Sequence, residues 1–216
     1  MYLFKQAALA ALLTAAATAQ ATLTFHTSQA SFQAAISAPQ VDSFDDLFWA
    51  EGPQYLYRAL GDYSYNAYSL MPDASYSSFY NAGTDSDVWL SANQATDIIS
   101  FQLSEKVFGV GGSFFATDAG GSFMPGQSIK LNALDASGHE VVMVVDNATP
   151  NTFYGFSSNT QITFFEISAL QPDGDFSWAA ANDLTLGGAV AAVPEPGSYA
   201  LLLAGLGLLA IRARRS

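Results

Sequence analysis

From Asp97 onward the chain reads as short apolar or alternating runs, separated by clusters of Gly, Asn, Asp, Ser and Pro. Ile98 to Leu103 is one run and Val107 to Phe115 the next, followed by the polar loop Asp118-Ala119-Gly120-Gly121. Ile129 to Leu134 and Val141 to Val145 flank the turn Asp135-Ala136-Ser137-Gly138. Past Asp146-Asn147 and Pro150, Phe153 to Phe156 and Ile162 to Ile167 read as strands, and Asp183 to Leu186 as a last one. Strands of this length and spacing, joined by polar turns, predict an all-β fold: an antiparallel β-sandwich of the jelly-roll kind. The pair around Asp135 to Gly138 is the clearest hairpin. Near the start, Ser28 can cap one short helix in which Phe32, Ala35 and Ile36 fall at i, i+3 and i+4. That helix ends before Pro39, and Val41 to Phe44 reads as an early strand. Neither an internal repeat nor a second domain is visible.

One stretch departs from this pattern. Tyr55 to Tyr80 holds seven of the ten tyrosines, interleaved with Ser, Asn, Gly and Asp and few aliphatics. It reads as an ordered, aromatic-rich insertion over one face of the sandwich. Tyr offers a flat apolar ring with a polar tip, which suits stacking on sugars. Tyr63, Tyr65 and Tyr68 are the candidate ligand-binding residues, the alternative being rings that only cover the sheet.

The two ends follow different rules. Residues 1–21 have the form of a secretory signal peptide: Lys5 in the n-region, an apolar stretch from Ala7 to Ala17 broken by Thr14, and the cleavage-type triplet Ala19-Gln20-Ala21. The mature chain is then expected to begin at Thr22, with the sandwich over 22–188. A linker, 189–198, contains Val193-Pro194-Glu195-Pro196, followed by an apolar run from Tyr199 to Ile211 and a basic end, 212–216, with Arg212, Arg214 and Arg215. Pro194 and Pro196 push the residues before them out of the α region and remove two amide donors, favouring an extended segment that fits a protease cleft. The alternative is a stiff spacer ahead of an anchor. The run at 199–211 is short: thirteen residues at ~1.5 Å each reach about 20 Å, against a hydrocarbon core of roughly 30 Å. Its terminal position and flanking arginines nonetheless mark it as a membrane helix, with a cytoplasmic C-terminus by the positive-inside rule.

The order Val-Pro-Glu-Pro, short apolar helix, Arg-rich end resembles the PEP-CTERM sorting signal of Gram-negative bacteria. The resemblance covers Val193 to Ser216. It implies an exported precursor held in the inner membrane, cut by an exosortase and passed to the cell surface or beyond, in association with exopolysaccharide and biofilm matrix. The body is similar to secreted β-sandwich domains that precede such tails, in Phe44-Asp45-Asp46-Leu47, Phe153-Tyr154-Gly155-Phe156-Ser157-Ser158 and Asn182-Asp183-Leu184-Thr185-Leu186-Gly187.

Charge narrows the choice of partners. The body carries eighteen acids against three bases, Arg58, Lys106 and Lys130, a net −15 with His26 and His139 neutral. Such a domain repels nucleic acid and anionic surfaces and attracts cations. With no cysteine in the chain, the exported domain holds together without disulfides. Calcium is the candidate ion. Asp42, Asp45 and Asp46 cluster early and Asp173, Asp175, Asn182 and Asp183 late, and pairing of first and last strands would join them as hard oxygen ligands. Asp45, Asp46, Asn182 and Asp183 are the candidate ligands, against solvated acidic turns as the alternative. Asp85-Ser86-Asp87 begins like an EF-hand loop, but Val88-Trp89-Leu90 breaks it.

Catalytic patterns are missing. There is no G-x-S-x-G elbow, Walker loop or H-E-x-x-H motif. Gly109, Gly111 and Gly112 fit a strand bulge better than a phosphate loop. The expectation is a non-catalytic exported protein needing no cofactor, with a carbohydrate-binding module or a secreted polysaccharide-active enzyme as alternatives. Carboxylates paired across a groove would favour the enzyme.

Overall fold

The structure, a computed structural model, describes residues 22–49, 52–84, 86–190, 204–206 and 212. Described strands alternate between two sheets. β1 (Leu23–His26), β2 (Ser37–Asp42), β5 (Phe79–Thr84), β6 (Asp87–Ala92), β8 (Gly109–Thr117), β11 (Phe153–Ser158) and β13 (Trp178–Gly188) make the first. Its order is β1-β11-β8-β13-β6-β5, and β2 also pairs with β13. β3 (Tyr55–Leu60), β4 (Tyr63–Leu70), β7 (Ile98–Leu103), β9 (Ile129–Asp135), β10 (Glu140–Val145) and β12 (Ile162–Ala169) make the second, in the order β10-β9-β12-β7-β4-β3. Every pairing is antiparallel. This is the β-sandwich the sequence predicts.

Period-two alternation drives the two inner faces together. In β4 the odd positions Tyr63, Tyr65, Ala67 and Ser69 are buried and the even ones half-buried. In β12, Phe165 and Ile167 point in while Phe164 and Glu166 point out. Phe165 is the hub between the sheets: its ring lies 6.0 Å from Phe101 in its own sheet, and 4.9 Å and 5.9 Å from Phe114 and Phe156 in the other. Burial of this cluster supplies the stabilisation, since no disulfide is available.

The helix α1 (Gln29–Ala34) is capped by Ser28, whose side chain accepts from the Ser31 amide. Phe32 and Ile36 are buried, whereas Ala35 is exposed. Both buried side chains ride on strand glycines. A Cβ on Gly109 would come within 2.3 Å of Ile36, and one on Gly155 within 2.8 Å of Phe32. The glycines of β8 are therefore places of close approach, and Gly112 lies opposite a bulge carried by the neighbouring strand, its added Cβ meeting the Asn182 and Asp183 carbonyls at 2.9 and 3.1 Å. The bulge lies on β13, between Asn182 and Thr185.

The Tyr55 to Tyr80 stretch is not an insertion. β3 and β4 form a hairpin that completes one edge of the six-stranded sheet, and β5 completes an edge of the other. Tyrosine is a good strand former, and here its apolar ring substitutes for aliphatics on both faces. The early and late segments do meet, but through β2 on β13, with Asp42 opposite Leu184; β1 pairs with β11.

The expected signal peptide and the tail motif Val193-Pro194-Glu195-Pro196 lie outside the described residues, as do Arg214 and Arg215. Within the apolar run 199–211, residues 204–206 are helical, and Arg212 is helical and exposed. Among the described residues no helix is long and apolar enough to cross a membrane.

Candidate functional site: the outer face of the six-stranded sheet

Strand register draws straight rows across this sheet. Tyr55 faces Tyr68, Tyr68 faces Ser100, Ser100 faces Glu166, Glu166 faces Asn132 and Asn132 faces Val142. The next row runs Tyr57, Asn66, Gln102, Phe164, Leu134 and Glu140. Both rows point away from the core. With strands about 4.8 Å apart, each spans roughly 24 Å.

Two hollows mark this face. At the β3–β4 edge, Gln54, Tyr55, Asn66, Tyr68 and Tyr76 line a shallow cleft of about 360 Å³. The Tyr68 and Tyr76 rings lie 5.6 Å apart at 42°, and Tyr55, Tyr57 and Tyr76 are more than half exposed. Three strands away, Asn132, Leu134, Glu140, Phe164 and Glu166 line a second hollow of about 310 Å³. There Asn132 Nδ2 donates to Glu140 Oε1 at 2.9 Å and, more weakly, to Glu166 Oε2 at 3.4 Å. The two carboxylates fix the orientation of the amide, because the reverse flip would set oxygen against oxygen. Ser100 Oγ donates to Glu166 Oε1 at 3.1 Å. Buried Asn132 Oδ1 has no partner.

Of the three tyrosines expected to bind ligand, only Tyr68 is on this face. Tyr63 and Tyr65 are the first and third residues of a strand whose odd positions face the core, leaving them 6% and 1% exposed. Neither can stack on a ligand. The Tyr63 hydroxyl donates to the Ser37 and Ala38 carbonyls, and that of Tyr65 to Asp42 Oδ2 at 2.8 Å. Burial first, and then the Asp42 charge, raise the Tyr65 phenol well above its ordinary value. Sequence reasoning missed Tyr55, Tyr57 and Tyr76; the signal was the alternation within the Tyr-rich stretch itself.

The acidic candidates divide into two groups. Asp46 pairs with Arg58, which also holds buried Asp42, each carboxylate taking two hydrogen bonds from the guanidinium at 2.7–2.8 Å. The Arg58 hydrogen bond, outweighing its small desolvation, keeps the Asp46 carboxyl below the usual range. Asp46 is thus an ion-pair partner, turned away from the other candidates. Asp45, Asn182 and Asp183 do converge, joined by Asp87. Asn182 Nδ2 donates to Asp87 Oδ1 at 2.8 Å, and Asp45 Oδ1 accepts from the Val88 amide at 3.0 Å. Burial, then the charges of Asp87 and Asp45, raise the Asp183 carboxyl. Among the described residues no group of three or more acids or histidines is disposed to hold a metal ion.

This gives a result of definite sign. A carboxyl raised in the folded state lowers stability progressively as pH climbs from the unfolded value through the folded one, and the full penalty applies above the folded value. In chelator, Asp183→Asn is expected to melt higher than the parent, by a margin kept small by the exposure of this residue to solvent. If the trio holds Ca²⁺, millimolar Ca²⁺ reverses that order, because an ion that binds only the folded state stabilises it. The same order in both buffers would leave these residues as mutually repelling turns.

With this face described, the molecule is a two-sheet sandwich carrying a distinct C-terminal segment. Residues 192–216 match the family model of the PEP-CTERM protein-sorting motif. The chain therefore carries an exosortase sorting signal: it is an exported protein, made as a membrane-anchored precursor destined for the cell surface and processed by a membrane protease. No curated protein matches the chain. Among solved structures, TmCBM61 in complex with beta-1,4-galactotriose aligns at 11% identity over 79% of this chain and 86% of that one. The TM-score is 0.19, too low to support any conclusion about the ligand.

Proposed function

We propose that the body is a non-catalytic module that binds polysaccharide of the extracellular or biofilm matrix through the outer face of the six-stranded sheet. The observation that carries this reading is the row from Tyr55 to Val142: an exposed tyrosine cleft in register with hydrogen-bonding side chains, on a flat surface long enough for several sugar units. Aromatic rings at one end give stacking area, Asn66 and Gln54 give donors and acceptors for hydroxyls, and the carboxylates of Glu140 and Glu166 give further acceptors. The tail would bring this face outside the inner membrane and exosortase cleavage would release it into the matrix.

Glu140 and Glu166 favour one other reading, a polysaccharide-active enzyme, since two carboxylates share one open hollow. Against it stands the Asn132 amide, which bridges the two carboxylates and so sits between them where a scissile bond would have to lie. Exported full-length protein is therefore expected to bind insoluble glycans without releasing reducing sugar. Tyr68→Ala should weaken binding about tenfold, the loss of one stacked ring, with an unchanged melting temperature. Reducing-sugar release abolished by Glu166→Gln would establish the enzyme instead.

A further inference from the structure

We infer that the polysaccharide this face accepts carries free, protonated amino groups, as in a partly de-N-acetylated hexosamine polymer. The inference rests on the glycan-binding reading above and names its substrate class. Three observations converge on it.

The sheet face has a charge that its own chain does not neutralise. Glu166 sits mid-row between Ser100 and Asn132, and Glu140 ends the neighbouring row, so both carboxylates border one hollow beside Phe164 and Leu134. Their protein partners are neutral: Asn132 for both, and Ser100 for Glu166. Lys130 borders the same region, and among the described residues it makes no ion pair. Two acids against one base leave the hollow negative.

The rest of the body cannot supply the missing cation. Arg58 is committed to Asp42 and Asp46, and Lys106 lies 3.8 Å from Asp62. Eighteen acids against three bases give the whole body a field that draws in a polycation and repels a uronic-acid polymer.

Geometry supplies the third argument. An ammonium group on a hexose ring has three donors, and the two glutamate oxygens that accept from Asn132 have lone pairs free for more. A sugar stacked at Tyr68 lies on the row that contains Glu166, two strand spacings or about 10 Å away. Neighbouring rings of one polymer would thus meet an aromatic cleft and an anionic hollow in succession, which selects amine-bearing units at set places along the chain.

Binding of full-length protein to soluble chitosan oligomers and to fully N-acetylated oligomers of equal length tests this. The expected result is a preference for the amine form of at least about tenfold, as for charge-assisted hydrogen bonds. Glu140→Gln/Glu166→Gln should remove the preference while keeping residual binding. Simple attraction to an acidic protein is controlled by Glu105→Gln/Asp173→Asn, which changes net charge equally at two exposed positions off this face and should keep the preference. Glutamine keeps one acceptor oxygen and the shape of each side chain, and equal melting temperatures of the two variants would show that both are folded. Equal affinity for both oligomers overturns the inference and leaves the glycan-binding reading standing. A preference lost equally in both double variants overturns it as well, in favour of bulk charge. Binding to neither oligomer, nor to neutral glycans, overturns both readings together.

Discussion

Arg58→Met is expected to destabilise the body by about 3–5 kcal/mol, the largest effect of any single substitution considered for this protein. Arg58 on β3 and Tyr65 on β4 are cross-strand partners, both turned into the sandwich, and both reach Asp42 on the opposite sheet. The Asp42 side chain is 2% exposed and also accepts from the Phe44 amide at 3.2 Å. Methionine fills much of the arginine's volume but leaves that carboxylate buried with only a phenol and one backbone amide and no positive charge. The pair in itself need not be strongly stabilising, because desolvation offsets much of the attraction; removing one partner is what costs. For a domain of this size the melting temperature should fall by roughly 6–20 °C. Circular dichroism melts decide it. Adding Asp42→Leu to Arg58→Met should recover most of the loss, and a single variant within about 1 kcal/mol of the parent would show that water, not Arg58, stabilises Asp42.

Replacing Pro194-Glu195-Pro196 by alanines, or deleting residues 212–216, should abolish processing in the native host. Alanines restore the two missing amide donors and allow the apolar helix to extend backwards through the segment a protease must hold extended. Loss of Arg212, Arg214 and Arg215 removes the basic bias that orients the tail. In both cases uncleaved precursor should accumulate with the membrane. Mass spectrometry of released wild-type protein provides the decisive control: a C-terminus still reaching Ser216 would mean that the tail is not a cleavage signal at all.

Much of the sandwich was legible wherever alternation and turn chemistry agreed. The hairpin at Asp135 to Gly138 is the clearest case. Gly138 takes a φ of +85°, and Asp135 Oδ1 accepts from the Ser137 and His139 amides, so local side chains alone specify the turn. Around Tyr55 to Tyr80 the same reading failed, because composition was weighed in place of period. Once Tyr63, Ser64, Tyr65, Asn66, Ala67 and Tyr68 are taken as a strand, the inward and outward tyrosines separate, and the candidate site moves from Tyr63 and Tyr65 to Tyr55, Tyr68 and Tyr76. The short sequence Leu23-Thr24-Phe25-His26 gave too little periodicity to show β1. Other features were beyond any local pattern. That Asp45 would meet Asp87, and Asp42 would meet Arg58, depends on which strands become neighbours across the fold. Glu140 and Glu166 lie 26 positions apart and share a hollow only through β9 between their strands.

Mechanical load follows from the place where the tail leaves the domain. The last strand before the tail, β13, is interior to its sheet: β8 runs along one side, and β6 and β2 share the other. Its final residues, Leu186 to Gly188, pair with Gln40 and Ser37 on one side and with Val110 and Gly109 on the other, and Ser37 Oγ holds the Ala189 carbonyl at 2.7 Å. If a matrix polymer held the far sheet while the tail was anchored, tension would enter the fold through β13, and its component along the strand would load both neighbours together. Tension of that kind shears many hydrogen bonds at once, where an edge strand would be peeled away one bond at a time. A load that reached the body through the tail would thus meet an interior strand and no peelable edge.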